Sequence, residues 1–312
     1  MMSIGNITSA KGAANYYTKA DYYSKEEPNV DIKSNWYGKG AELLGLSGEV
    51  DMKMFSNILE GNLPNGKSLG RMLGGEFVHK PGWDLTLGAP KSVSLLVLLG
   101  GDKDLLEAHH IAVKEAMDYI EQHVLVSQTM TDEGHAFYDV PNSIVGQFTH
   151  STNREQEPHL HTHNVLMNAA STSEEEWRSV YSRPIYNNKM LAGLVYKSKL
   201  AELSKELGYT PNWNSEKGTF ELDEISPEIL KANSQRRVAI EQYAEEHGLE
   251  TAEEMAEAAM KTRASKKDTP TQEIVDNWEQ LAKEQGMDYE KIVAEKSKNR
   301  KGISVDKKQN ED

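Results

Sequence analysis

No cysteine occurs among the 312 residues. That absence excludes disulfides, thiolate nucleophiles, iron–sulfur clusters and cysteine-built zinc cages together. Covalent catalysis would then fall to oxygen or nitrogen, and the 13 tyrosines are the notable oxygen source. No apolar run reaches the roughly 18 residues that a membrane span needs. The start Met1-Met2-Ser3-Ile4-Gly5 also lacks the charged, apolar character of a secretory leader. A cytoplasmic protein without membrane insertion is expected. Positive charge is scarce, with 35 Lys and Arg against 49 Asp and Glu and a net charge of −14. Indiscriminate nucleic-acid binding is disfavoured, because a polyanion is usually met by a basic surface. The charge is uneven, however. Glu174-Glu175-Glu176 reads as a solvated acidic run, whereas Lys261-Thr262-Arg263-Ala264-Ser265-Lys266-Lys267 and residues 296–301 are basic strips able to grip a strand.

Histidine is what the chain concentrates. Four of its ten histidines, His150, His159, His161 and His163, fall within residues 150–163. Residues 143–150 and 159–168 read as two strands joined by a polar turn at 151–158. Residues two apart on a strand project from one face, so His161 and His163 can reach the same ion, and the hairpin folds His150 back over them. Either His159 or His161 can oppose His150, which leaves one histidine spare. Alternating histidines can also be the polar side of a half-exposed strand. Their density favours a metal site, and three neutral imidazoles would leave coordination positions open for chemistry.

Elsewhere the pattern predicts helices at 41–44 and 51–59, with Asp51 as N-cap, a strand at 83–87, an apolar run of ambiguous type at 92–99 and an amphipathic helix at 104–124. Short strands follow at 137–140 and 177–180, then a helix at 190–207 stopped by Gly208, and three helices at 227–248, 251–261 and 271–286. Strands fill the middle and helices the end, which is an α+β core with a C-terminal helical appendage. Gly61-Asn62-Leu63-Pro64-Asn65-Gly66-Lys67-Ser68 matches the phosphate-loop expression letter for letter. It follows a helix-like stretch where that motif needs a buried strand, so a nucleotide triphosphatase is not expected.

Near the start stand two tyrosine doublets, Tyr16-Tyr17 and Tyr22-Tyr23. Together with Trp36-Tyr37-Gly38-Lys39-Gly40-Ala41-Glu42, Asp84-Leu85-Thr86, Ala89-Pro90-Lys91-Ser92-Val93-Ser94 and Gln156-Glu157-Pro158-His159-Leu160-His161-Thr162-His163, they give a pattern that resembles conjugative plasmid relaxases of the TraI/TrwC (MobF) type. These are HUH endonucleases, and the likeness covers nearly the whole chain. It departs at His159, where the relatives carry Gln, and in the gap of four residues between the doublets, which varies in the family.

The resemblance implies a central antiparallel sheet, the HUH palm related to ferredoxin-like folds, flanked by helices. It implies a catalytic core over 1–230, a helical DNA-clamping subdomain over 231–300 and a polar, disordered tail over 301–312. The implied activity is site- and strand-specific DNA nicking and strand transfer at a plasmid transfer origin, through a 5'-phosphotyrosyl intermediate that initiates conjugation. By the same likeness Tyr16 and Tyr17 form the attacking doublet, with Tyr16 the nucleophile. Tyr22 and Tyr23 form a second doublet, in which Tyr22 accepts the returning strand. His150, His161 and His163 hold one divalent metal ion, Mg or Mn by abundance, with Zn, Co or Ni the alternatives by ligand softness. Asp84 either fixes a ligand imidazole's tautomer or helps to deprotonate Tyr16.

The implied partner is single-stranded DNA, contacted by Lys261, Arg263, Lys266 and Lys267 with Arg236 and Arg237 nearby, and by Arg178 and Arg183 beside the hairpin. Accessory relaxosome proteins and a C-terminal helicase in the full-length polypeptide complete the expected set. A bacterial cytoplasmic protein, transferred with the strand, follows from the same likeness. Two other classes compete: a phosphodiester hydrolase using a metal-bound water, and a non-catalytic single-stranded DNA-binding module. A rolling-circle initiator is disfavoured by the segments at 36–42 and 84–94.

Overall fold

The histidine-rich segment folds as the two long strands that its periodicity predicts, each extended by several residues. In a computed structural model of the chain, residues 2–24, 34–172, 176–262, 271–298 and 300 are described, without the side chains of 18–24, 252, 253, 256 and 271. Arg263, Lys266, Lys267, the side chains of Tyr22 and Tyr23 and the 301–312 tail thus lie outside the described residues. The chain forms two compact units interleaved in sequence: Met1–Gly88 with His109–His150 and His161–Leu200, and Ala89–Ala108 with Ser151–Leu160 and Ala201–Asp312.

The first unit is built on six strands: β1 (Ser3–Ile7), β2 (Asn35–Tyr37), β3 (Gly82–Gly88), β4 (Asn142–Thr152), β5 (Pro158–Ser171) and β6 (Trp177–Arg178). Their order is β1-β3-β5-β4-β2, with β6 also paired to β5. The β1–β3, β3–β5, β4–β2 and β5–β6 pairings are antiparallel. Period-2 alternation sends Ile144, Gly146 and Phe148 of β4 and Val165, Met167 and Ala169 of β5 to one face. That face carries an apolar cluster with Tyr17, Trp36, Phe55 and Ile58. Tyr17 from helix Ala10–Ser24 and Phe55 from helix Met52–Leu59 cover it, and Asp51 caps the latter by accepting Met54 N at 2.7 Å. The opposite face is covered by helices Lys103–His123 and Lys189–Glu206; His109 of the first bonds Thr162 on β5 and, through its other ring nitrogen, Tyr196 of the second. β5 is therefore covered on both faces, and most of its polar residues are buried, with His159 and His163 half-buried.

In the second unit, Glu221 of the hairpin Pro211–Asn214/Thr219–Leu222 accepts Ser92 N at 2.8 Å and Ser92 Oγ at 2.6 Å. These bonds satisfy the first turn of helix Lys91–Leu98, whose N-cap Pro90 offers no side-chain acceptor. The ambiguous apolar run at 92–99 is thus a buried helix. The helix expected over 227–248 is two helices, Pro227–Ala232 and Gln235–His247. Asn233 Nδ2 and Ser234 Oγ donate to the carbonyls of Ile229 and Leu230, and short polar side chains that compete for backbone groups favour such a break. A helix at Tyr289–Ser297 was not expected. Arg300 pairs with buried Asp102 at 2.6 Å, and Asp102 also accepts from Tyr209 at 2.5 Å.

The glycine-rich 61–68 segment lies between helix Met52–Leu59 and the hairpin Arg71–Leu73/Glu76–Val78, closed by an Asn62–Ser68 bridge. It has neither the preceding buried strand nor the following helix of a phosphate loop.

Gly146 tests the packing of the aromatic face. A Cβ there would sit 2.9 Å from Phe55 Cε2 and 3.2 Å from Phe148 Cε2, and Phe55 is fully buried. Gly146→Ala is expected to cost about 1–3 kcal/mol by overpacking, measured as a lower urea midpoint. An unchanged midpoint would mean that Phe55 can retreat freely.

Candidate active site

The register of β3 against β5 assembles the polar end of the aromatic face. Thr86 lies opposite His163 and Gly88 opposite His161, while Asp84 faces Val165. Asp84 and Thr86 therefore share a face with both histidines, and Asp84 is the diagonal neighbour of His163. Along β4, His150 continues the face of Ile144, Gly146 and Phe148. Candidate ligand nitrogens of His150, His161 and His163 all lie within 4.8 Å of one another. Ring centroids are 5.4 Å apart for His150 and His161, 4.8 Å for His150 and His163, and 5.0 Å for His161 and His163. His159 does not belong to this group.

One carboxylate organises the surroundings. His163 Nδ1 lies 2.7 Å from Asp84 Oδ2 and 3.2 Å from Thr86 Oγ1, and Thr86 donates to Asp84 Oδ1 at 3.1 Å. A carboxylate only accepts, so the close Nδ1 carries the proton and Nε2 is left as the ligand atom. Three imidazoles, one with its tautomer fixed in this way, fit a single transition-series ion by the chemistry of the donor set.

Helix Ala10–Ser24 brings the first tyrosine doublet over the site. Adjacent helical residues diverge by about 100°, and the two rings separate accordingly. Tyr17 points inward, 3% exposed, stacked on Phe148 at 4.6 Å and donating its hydroxyl to Asp84 Oδ2 at 3.0 Å. Burial, and after it the charge and hydrogen bond of Asp84, push the Tyr17 phenol far above its ordinary range. Tyr16 is half-buried, with its ring centroid 6.4 Å from that of His150 and 6.2 Å from that of His163. Tyr22 and Tyr23 lie on the last turns of the same helix.

The candidate DNA contacts divide by their present partners. Arg178 donates to Thr129 and Glu176 and lies 4.4 Å from the Tyr138 ring centroid. Arg236 donates to the carbonyls of Thr262 and Ala259 at the end of helix Ala252–Lys261 and pairs with Glu155 at 3.6 Å. Both serve internal structure. Arg237 is exposed and pairs with Glu241 one turn along its helix, while Arg183 and Lys261 are exposed. Sequence reasoning missed Thr86 in its role against His163; the signal was its spacing of two from Asp84 on a strand. It also missed Thr149, Thr162 and Asn164, polar residues interleaved with histidines in strands that turn out to be buried.

Residues 10–285 match the TrwC relaxase family. The multifunctional conjugation protein TraI of Escherichia coli K12 is 37% identical over 297 residues, covering 92% of this chain. The chain spans only 16% of that relative's length. Among solved structures, conjugative relaxase TrwC in complex with oriT DNA, copper-bound, superposes with a TM-score of 0.81 at 32% identity, covering 93% of this chain and 100% of that one. TrwC complexed with a 27-mer DNA comprising the recognition hairpin and the cleavage site gives a TM-score of 0.79 at 31% identity, with the same coverage.

Removing the Asp84 carboxylate releases the His163 tautomer. Asp84→Ala is expected to weaken binding of a divalent ion by roughly 10–100-fold, the usual effect of losing a partner that orients a ligand, as measured by calorimetric titration with Mn²⁺. Wild-type affinity in this variant would show that Asp84 does not orient the ligand.

Proposed function

The chain belongs to the TrwC relaxase family, and from that premise we propose that it nicks one DNA strand at a plasmid transfer origin and becomes joined to it. The observation that carries this reading is the placement of the Tyr16 ring beside both His150 and His163, while its neighbour Tyr17 is buried and bonded to Asp84. A half-buried phenol next to a three-imidazole group has the makings of a nucleophile beside an electrophilic centre. In the proposed step the Tyr16 oxygen attacks the scissile phosphorus and its proton leaves to solvent or to a base. The bond to the 3' oxygen breaks, a free 3' hydroxyl departs, and a 5'-phosphotyrosyl ester remains.

His150, His161 and His163 would hold a single divalent ion, which supplies a Lewis acid to bind non-bridging phosphate oxygens and offset the charge of the transition state. Asp84 orients His163 and at the same time holds Tyr17 against the sheet. Its assigned role is thus tautomer fixing, the first of the two that the sequence left open. Tyr17 is assigned to support of the Tyr16 helix, because a strongly raised phenol pKa disfavours the phenolate. Tyr22 remains the proposed acceptor of the returning strand, with Mg²⁺ or Mn²⁺ the proposed native ion.

Single-stranded DNA at the transfer origin is the proposed substrate. Arg183, Arg237 and Lys261, with Arg263, Lys266 and Lys267, are its proposed backbone contacts, and residues 231–300 its clamp. Arg178 and Arg236 are proposed to support these contacts through the segments they hold. Accessory proteins at the origin, and a helicase region of the kind that a multifunctional relative can carry, are part of the same proposal.

Incubation with single-stranded oligonucleotides carrying the cognate origin and Mn²⁺ should give a covalent DNA–protein adduct on a denaturing gel. Tyr16→Phe is expected to abolish the adduct and Tyr17→Phe to retain it. His161→Ala is expected to abolish nicking while strand binding persists. Cleavage by Tyr16→Phe without an adduct would instead establish a hydrolase that activates water.

A further inference from the structure

Behind the face of the three histidines runs a second, largely internal line of polar side chains. Thr162 stands between His161 and His163 on β5 and points to the opposite face. Its Oγ1 lies 2.8 Å from Thr149 Oγ1 on β4 and 2.8 Å from His109 Nε2. His109 Nδ1 in turn lies 2.7 Å from the Tyr196 hydroxyl. One step along the strands, Gln147 Nε2 donates to Asn164 Oδ1 at 2.8 Å, and Asn164 Nδ2 donates to the Leu85 carbonyl of β3 at 2.9 Å. His109, Thr149, Thr162, Asn164 and Tyr196 are all buried, with His109 and Asn164 at 0% exposure.

The sequence positions of this ladder are its telling feature. Thr149 adjoins His150, Thr162 adjoins both His161 and His163, Asn164 adjoins His163, and Leu85 adjoins Asp84. The Thr149–Thr162 and Gln147–Asn164 bonds therefore join β4 to β5, the Asn164–Leu85 bond joins β5 to β3, and His109 fastens Thr162 to the covering helices, all on the side away from the three histidines. A one-residue slip of β5 against β4 would turn His161 and His163 to the wrong face. In an otherwise apolar layer, a slip would also leave the hydroxyls, the amides and the imidazole buried without partners, which is costly. Apolar residues at these positions would fill the same space and leave alternative registers less strongly penalised.

We propose that His109 and Thr162 are positioning residues which, through this ladder, lock the register of β3, β4 and β5 and so bring the three metal-binding histidines and Asp84 to one point. A neutral imidazole donates from one nitrogen and accepts at the other, so the His109 ring can join a tyrosine hydroxyl to a threonine hydroxyl in either tautomer. The proposal rests on reading His150, His161 and His163 as a metal site.

The test compares Thr162→Val, which keeps shape but loses the hydroxyl, with Thr162→Ser, which keeps the hydroxyl. Val113→Ala, one turn beyond His109 on the same helix and outside the ladder, serves as the control for general destabilisation. Mn²⁺ affinity is measured by calorimetry, and amide hydrogen exchange of β4 and β5 is followed in metal-free protein. Thr162→Val is expected to weaken Mn²⁺ binding at least about tenfold, in the range of lost supporting contacts, and to speed exchange selectively in β4 and β5. Thr162→Ser should restore both, and Val113→Ala should change affinity by less than about twofold at a similar loss of melting temperature. Wild-type affinity in Thr162→Val, or an equal loss in Val113→Ala, would overturn the proposal. If wild-type protein bound Mn²⁺ no better than His161→Ala, the metal-site reading would fail on its own. Exchange would then decide the register lock, and the absence of selective quickening would reject it.

Discussion

A single carboxylate oxygen accepts from two elements, a helix and the strand on which it packs. Asp84 Oδ2 lies 3.0 Å from the Tyr17 hydroxyl and 2.7 Å from His163 Nδ1. The first bond holds helix Ala10–Ser24 down on the sheet, and the second sets a metal-facing imidazole. Because Tyr16 is the next residue to Tyr17, pinning Tyr17 also fixes the place of Tyr16. The proposed nucleophile and the three-histidine group are thus placed through one buried intermediary, and rigid elements rather than loops set their separation, as the proposed chemistry would require.

This arrangement depends on a sheet covered on both faces. Aromatic contacts of Tyr17, Phe55 and Phe148 at 4.6–5.9 Å stabilise one side, each worth about 0.5–1.5 kcal/mol beyond burial. On the other side Glu121, its carboxyl pushed up by burial, accepts Ser143 N at 2.8 Å and Ser143 Oγ at 2.7 Å and so ties helix Lys103–His123 to β4. Over the buried stretches of β4 and β5, each polar group has to find a protein partner or a ligand. Histidine, threonine, asparagine and glutamine at alternating positions divide those two tasks by strand parity.

Strand parity is also where the sequence was most readable. His161 and His163 two apart, Asp84 on a short strand, and Asp51 ahead of an apolar helix each reflect a local rule, and local rules need no knowledge of the fold. The choice between His159 and His161 as the partner of His150 was not readable, because it depends on hairpin register, which long-range packing sets. The Thr149–Thr162–His109 chain was hidden for a different reason. Its members come from residues 53 and 13 positions apart, and in isolation a threonine between histidines looks like surface polarity. The break at Asn233–Ser234 was obscured by a continuous helical pattern whose two short polar side chains turn back on the backbone. The protein partners of Arg178 and Arg236 were not readable in sequence, because basic residues look alike whatever they meet.

The charge balance explains why the carboxylate sits one residue away from the metal position. The chain carries a net −14, so the proposed polyanionic substrate would meet an unfavourable average field. Attraction must then come from concentrated local charge, whose effect is felt within roughly a Debye length of ~8–10 Å. Three neutral imidazoles would leave a divalent ion its full charge, whereas a directly ligating carboxylate would cancel part of it where the proposed phosphate would bind. Asp84 acts through His163 instead, strengthening the imidazole as a donor while its own charge is shared with the Tyr17 hydroxyl and Thr86. Placing the acid behind the proposed ligand would preserve both the positive point that the proposed phosphodiester substrate requires and the order that makes that point useful.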